Sequence, residues 1–517
     1  MSATLDPARD GPVVADRPQP GSPRAYEFPS VTGGRLANGL SIRIVDLPGR
    51  PLVSASMVLT GGAVEEPPGR AGATVLAARA LTEGTERYDA IELVEAGERL
   101  GASLHAEAGW DALTVGVDVP ADRLIPALEL VAEVLLHPTF PEPEVERLRD
   151  ERLNDLLQAK ADPRRRVEEA FVGTVYAPVA PYHRPSGGTH ETVEGLTSTH
   201  LRDVHRRVLD PARATLVIGG DLGGQEVMAT VERLFGSWTP IDDSATPGHA
   251  IVDTATSVGR LVRVIHRPGS VQTEIRIGHR GLSRLTPDFH AVSVMSAILG
   301  GLFNSRLNMK LREEKGYTYG AGAGFDMRRG AGPFSARAAV NTDVTVPAIL
   351  DTLAELTRMR DTPVAGSELA AARDFLIGVF PLRFETAGAV VGALGSLAVH
   401  GLDVDELVRY RANIEAVDIA AIEAAAAAHL HVDDASIVLV GDFDAIGPDL
   451  EAAGLGPLVI ERDDVAGAPG ATDDEAATPG PLDDEGETGP TAGAEDTEAA
   501  GTEDDLAAAT RDPNGEA

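Results

Sequence analysis

The sequence predicts an α+β fold of two homologous domains, each a mostly antiparallel sheet backed by helices. Three observations predict it. First, the chain repeats itself: Ala214–Leu222 reads ATLVIGGDL and Ala435–Phe443 reads ASIVLVGDF, 221 residues further on. Each copy follows a helical lead-in, THLRDVHRRVLDPAR before the first and IAAIEAAAAAHLHVDD before the second. Second, strand-like runs are joined by short turns, which implies antiparallel pairing rather than a doubly wound parallel sheet. Third, 517 residues with 43% hydrophobic content suffice for more than one core, and the repeat spacing gives domains of roughly 200 residues.

The elements follow in order. Ser41–Asp46 and Leu52–Thr60 are strands joined through LPGRP. Gly72–Leu81 and Ala90–Leu100 are helical. Gly101–Val119 is a hairpin, with ASLHAEA and ALTVGVDV alternating around GWD. Arg123–Leu136 and Glu142–Lys160 are helices, the second with its charges on one face. Ser237–Thr256 is dense in Pro, Asp, Ser and Thr and reads as a linker. The expected layout is a disordered segment 1–27, domains 28–236 and 257–460 around a linker 237–256, and an acidic tail 461–517.

The ends and the composition narrow the function. The formal charge is −35, which argues against a nucleic-acid partner held by phosphate neutralisation. Glu461–Ala517 contributes −16 of this, from 18 acidic residues and two arginines. It lacks aromatic residues, so it is expected to stay disordered. No cysteine is present, so disulfides, thiolate zinc sites and cysteine nucleophiles are excluded. The first thirty residues lack a hydrophobic signal core and no apolar run is long enough to span a bilayer. A cytoplasmic protein without a membrane partner is expected.

Several segments, in this order, resemble the pitrilysin/insulinase-type (inverted zinc motif) metallopeptidases. They are NGLSIRIVDLPGRPLVSASMVLTGGAVEEP, LTEGTERYDAIELVEAGERLGASLHA, PYHRPSGGTHETVEGLTSTHLRDVHRR, HRPGSVQTEIRIGH and ILGGLFNSRLNMKLREEKGYTYGAGAGF. The resemblance covers most of 30–445 and is to the non-catalytic type: the alpha subunit of mitochondrial processing peptidase and bacterial heterodimeric relatives. It implies two halves enclosing a peptide-binding chamber. It places ILGGLFNSRL where that subunit has its flexible glycine-rich loop. The family's signature is HxxEH, two His four apart on one helix face with a Glu beside the second as general base. A further Glu about 76 residues on completes the ligand set.

In this chain the five motif positions read Val75, Leu76, Ala77, Ala78 and Arg79, just before Glu83-Gly84-Thr85, and the distant ligand falls on Asp155. Valine and alanine offer no lone pair and an arginine cation repels a metal. Neither HxxEH nor HExxH occurs elsewhere. His190-Glu191 lacks a closing His at position 194, His200 and His205 read as surface helix residues, and His429 and His431 mark a helix end. No metal is expected in this chain. Arg79 and Asp155, standing where two ligands would converge, either pair across the vacated site or both face solvent.

The resemblance also implies an Arg and a Tyr seven residues apart in the C-terminal half, reaching toward a zinc site. LREEKGYTY supplies Arg312 and Tyr319, with Tyr317 as the alternative. Arg312 falls in the last turn of a helix that Gly316 can end, and Tyr319 at the start of the next strand. Both are donors suited to a carbonyl oxygen gaining charge. The pattern implies a non-catalytic subunit of a heteromeric zinc endopeptidase. Its homologous partner would carry HxxEH and zinc, and its substrates would be unfolded peptides lying along a sheet edge of that partner. The rivals are a structural or peptide-holding scaffold and a self-sufficient zinc peptidase with unrecognised ligands.

Overall fold

The computed structural model describes residues 25–241 and 259–462. The first half contains β1 (Thr32–Arg35), β2 (Ser41–Asp46), β3 (Leu52–Thr60), β4 (Ser103–Ala108), β5 (Ala112–Pro120) and β6 (Ala214–Gly220). The second contains β7 (Val262–His266), β8 (Gln272–Arg280), β9 (Ala321–Phe325), β10 (Pro333–Asn341), β11 (Ser436–Gly441) and β12 (Leu458–Arg462). The sheet orders are β1-β2-β6-β3-β5-β4 and β12-β7-β11-β8-β10-β9. The repeated sequences form β6 and β11, which hold the same inner position in the two sheets.

Both sheets are mixed. β2 runs parallel to β6, and β7 runs parallel to β11, while the β6-β3-β5-β4 and β11-β8-β10-β9 neighbours are antiparallel. The outermost strands break the symmetry, since β1 is antiparallel to β2 but β12 is parallel to β7.

One face of each sheet is covered by helices of its own half. Ile42, Val53, Ala55, Met57, Leu216 and Ile218 point into the first core. Val262, Val264, Ile275, Ile277, Ile437 and Leu439 point into the second. A strand turns alternate side chains to its opposite face, and there each sheet receives a helix from the other half. Helix Pro163–Val175 lies on β11 and β8, burying Val167, Ala170 and Phe171 against Ile265, Val438 and Val440. Helix Ala387–His400 lies on β3 and β6, with Val390, Val391 and Leu394 packed in one cluster with Val45 and Val217.

Both exchanged helices are specified locally. Asp162 accepts from the amides of Arg164 (2.8 Å) and Arg165 (3.2 Å), and Pro163 occupies the first turn. Thr386 caps the other helix through the Ala389 amide, and Gly401 at φ +66° ends it. The clamps repeat as well. Arg43 on β2, paired in register with Val217, donates to the Leu394 (2.8 Å) and Leu402 (3.1 Å) carbonyls. Arg263 on β7, paired with Val438, donates to the Ala170 carbonyl at 3.2 Å. Val217 and Val438 are the fourth residues of the two repeats, so the same sheet position holds the foreign helix in both halves.

Several boundaries differ from expectation. Tyr26, assigned to segment 1–27, packs with Phe380 and Phe384, and Phe28 joins the second core. Trp238 is buried in the first core, so the first domain continues past 236, and residues 242–258 of the linker region lie outside the described residues. Glu461 and Arg462 belong to β12, while 463–517 lie outside the described residues. Among the described residues no single helix is long and apolar enough to cross a membrane.

Candidate functional site

Helix Ala73–Ala80 carries the five positions where the motif is expected. Its start is fixed by Glu66, a buried carboxylate accepting from the amides of Gly72 (2.9 Å) and Thr74 (2.6 Å). Gly72 has φ +92°, and a Cβ there would meet the Gly187 carbonyl oxygen at 2.6 Å, so only glycine fits. From that start, Val75 is half-buried and Ala78 is fully buried in the first core, while Arg79 points outward.

Arg79 does not pair with Asp155. Its Nη2 donates to Glu151 Oε2 at 2.9 Å. Glu151 also accepts from Arg147 (2.6 Å), which reaches Glu83 (2.6 Å) and Glu144 (2.8 Å) as well. Asp155, one turn further along helix Glu142–Ala161, is held by Arg152 and by Arg165 at 2.8 Å. The hydrogen bond from Arg165 holds the Asp155 carboxyl below its ordinary range, against the opposing effect of burial. Geometry separates them: helix Ala73–Ala80 meets the long helix nearer Glu151, and Asp155 is already taken by two cations.

This donor set does not fit zinc. One position offers a valine, one an alanine, one a guanidinium engaged with a carboxylate, and the remaining Asp155 faces two arginines. A dication placed here would meet positive charge from Arg79, Arg152 and Arg165.

Among the described residues the histidines give no replacement. His205 is half-buried rather than a surface residue, with Nε2 2.7 Å from the Leu135 carbonyl oxygen, and burial lowers its pKa. His200 is likewise half-buried. His429 ends helix Ile419–His429 and pairs with Asp288 at 2.7 Å. His266, Asp442 and Asp444 gather near one another, but His266 Nδ1 accepts from the Phe443 amide at 2.9 Å. That bond leaves the proton on Nε2, which faces Asp444 Oδ2 at 3.6 Å, so neither ring nitrogen presents a lone pair to a metal.

The second half presents Arg312 and Tyr319 differently. Arg312 lies in the wide helical turns Met309–Glu314, which close with Gly316 at φ +64° and bonds from the Gly316 amide to the Arg312 carbonyl and from the Tyr317 amide to the Leu311 carbonyl. Its guanidinium rests over the Phe303 ring, 4.8 Å from the centroid, and its Nε is 3.4 Å from Glu313. Tyr319 is 93% exposed and makes no hydrogen bond. It stands in the turn before β9, which starts at Ala321, rather than in the strand itself. Tyr317 is partly buried against the core.

Two residues that sequence reasoning passed over hold this segment. Buried Asn308 donates to the Phe303 carbonyl (2.8 Å) and accepts from the Ala321 amide (3.2 Å), tying together the two ends of the Arg312–Tyr319 stretch. Buried Arg306 makes a two-pronged ion pair with Glu368 at 2.7 and 2.9 Å. In the sequence both look like ordinary polar helix residues.

The two halves share one strand order, and the residues at the expected motif positions do not fit a metal. Residues 43–180 match the family model described as Insulinase (Peptidase family M16), and residues 195–376 match that described as Peptidase M16 inactive domain. The chain belongs to peptidase family M16. An uncharacterized zinc protease of Mycobacterium leprae is 27% identical over 59% of this chain and 68% of its own length. One of Streptomyces coelicolor is 24% identical over 75% and 85%. A Helicobacter pylori protein named non-peptidase homolog YmxG is 21% identical over 76% and 89%. Among solved structures, a peptidase M16 inactive domain from Pseudomonas fluorescens superposes with a TM-score of 0.73 at 24% identity, covering 80% of this chain and 98% of that one. A protease from Helicobacter pylori gives 0.74 at 19% identity, covering 80% and 100%.

Proposed function

We propose that this chain is a non-catalytic subunit of a heteromeric zinc endopeptidase, acting on unfolded peptides together with a homologous HxxEH-bearing subunit. One observation carries the reading. The residues at the zinc positions cannot hold a metal, whereas Arg312 and Tyr319 are presented outward with their donors largely uncommitted. The inactive-domain description and the name non-peptidase homolog support it. In this reading the partner supplies zinc, base and water. Arg312 and Tyr319 donate hydrogen bonds to the substrate carbonyl as it gains charge. The rival reading is a scaffold that holds peptides or a partner and donates nothing.

The test is a reconstituted pair, assayed for zinc content and peptide cleavage alone and together. The expected outcome is cleavage only by the pair. Arg312→Ala should lower kcat by about 100-fold with the complex intact, the size typical of losing one such donor. Full activity of the Arg312→Ala pair would establish the scaffold instead. Stoichiometric zinc and cleavage in the isolated chain would overturn both.

A further inference from the structure

Leu302 and Ser305 close a turn, the Ser305 amide donating to the Leu302 carbonyl at 3.0 Å, with Phe303 at its second position. Leu302 packs against the second core, whereas Phe303 is turned out and 58% exposed. A ring left in water gains little from the hydrophobic effect. Its backbone is nonetheless held from below. Buried Asn308 donates to the Phe303 carbonyl at 2.8 Å and accepts from the Ala321 amide at 3.2 Å, so the ring is fixed relative to the start of β9.

Arg312 comes over this ring from the wide helical turns Met309–Glu314, its guanidinium carbon 4.8 Å from the centroid. The face of an aromatic ring is negative, so it attracts the cation without consuming N–H donors as a carboxylate would. The competitor is the next residue. Glu313 Oε1 lies 3.4 Å from Arg312 Nε, and the two side chains are 40% and 44% exposed. Without a ring beside it, a guanidinium on so long a stem spreads over many rotamers or closes on that carboxylate.

We propose that Phe303 is a positioning residue for Arg312. Its ring holds the guanidinium short of full pairing with Glu313 and keeps the N–H donors aimed at the substrate carbonyl. Part of the ordering cost is thereby met before substrate arrives. Phe303 acts through Arg312 and touches no reacting atom. The role rests on the reading of Arg312 as a donor and adds to it what orients that donor.

Three substitutions in the reconstituted pair test it, with casein as the unfolded substrate. Phe303→Leu keeps an apolar side chain without a ring face, Phe303→Tyr keeps the face, and Arg312→Ala removes the group acted on. Phe303→Leu should lower kcat about 10-fold with KM within about 2-fold, against roughly 100-fold for losing the donor itself. Phe303→Tyr should restore kcat to within about 2-fold of the parent. Added to Arg312→Ala, Phe303→Leu should cost nothing more, because the two residues act as one unit.

A spectroscopic arm reads the contact in the isolated chain, without partner or cleavage. With arginine labelled by nitrogen-15, the Arg312 Nε–H resonance is the one missing in Arg312→Ala. It should shift in Phe303→Leu, where the ring current is lost, and stay near its place in Phe303→Tyr. An unmoved resonance, an unchanged kcat in Phe303→Leu, or a loss that persists in full on Arg312→Ala would each overturn the positioning role while leaving Arg312 a donor. Full activity of Arg312→Ala is a different result, and would overturn the donor reading itself.

Discussion

At the expected motif positions of the N-terminal half, Arg79 and the neighbouring Arg152 and Arg165 each end on a carboxylate, and Ala78 is packed in the core. In the C-terminal half, Tyr319 ends on nothing and Arg312 rests on an aromatic ring. The two regions belong to repeats of one sheet design, with the same strand order and even the same clamp arginine. Architecture has thus been kept in both, while the arginines of one site are bonded to carboxylates and Tyr319 of the other stands exposed without a hydrogen bond. A shared fold constrains backbone positions far more than it constrains what those positions do.

The strongest way to break this contrast is to place a carboxylate at position 78. Ala78→Glu places a carboxylate where 0% of the side chain is exposed, inside the first core. The cost should be about 3 kcal/mol or more, read as a lowered urea midpoint. A variant as stable as the parent would mean that the position still opens onto a polar cavity. A smaller effect sharpens the comparison between the exchanged helices. A Cβ on Gly278 would sit 2.0 Å from the Phe334 carbonyl oxygen and 2.9 Å from the Phe171 ring, whereas one on Gly219 would meet only a Val391 methyl at 3.0 Å. Gly278→Ala should therefore destabilise by about 2–4 kcal/mol and Gly219→Ala by about 1 kcal/mol or less in chemical denaturation. Equal losses would show that the two interfaces are not held with different tolerance.

The gentlest effect concerns pH. Burial lowers His279 and His400, both in the C-terminal half, to a pKa of about 4. A histidine lowered in the folded state binds its proton more readily when unfolded. Stability should accordingly be complete above about pH 6.5 and decline as pH falls toward 4, by an order of 1–3 kcal/mol. His279→Asn should flatten part of that slope in urea titrations at several pH values. An unchanged slope would assign the acid sensitivity elsewhere.

Much of the fold was legible because its signals are local. Ser41–Asp46 and Leu52–Thr60 are strands with those same limits, since β-branched runs bounded by turn residues leave little choice of ends. Helix Ala90–Leu100 is bracketed by Asp89, which caps it with Glu92, and by Gly101. The exchange of helices was not legible. Nothing in the periodicity of Pro163–Val175 or Ala387–His400 names the sheet that each helix covers. The short edge strands β1 and β12 and the parallel pairings escaped for the same reason, being fixed by tertiary partners. At the site, counting residues located Asp155 but not its partners, because which carboxylate meets Arg79 depends on where two helices cross. Asn308 and Arg306 were invisible because their roles are contacts to a carbonyl and a carboxylate distant in sequence.

The doubly repeated arginine clamp has one further consequence. Each half completes its layered packing with a rod contributed by the other, so the polypeptide behaves as two interlocked hands rather than beads on a string. Severing the backbone between positions 241 and 259 would not liberate two independent proteins. Each fragment on its own would expose a bare hydrophobic sheet, and only together would the pieces recover a wettable exterior.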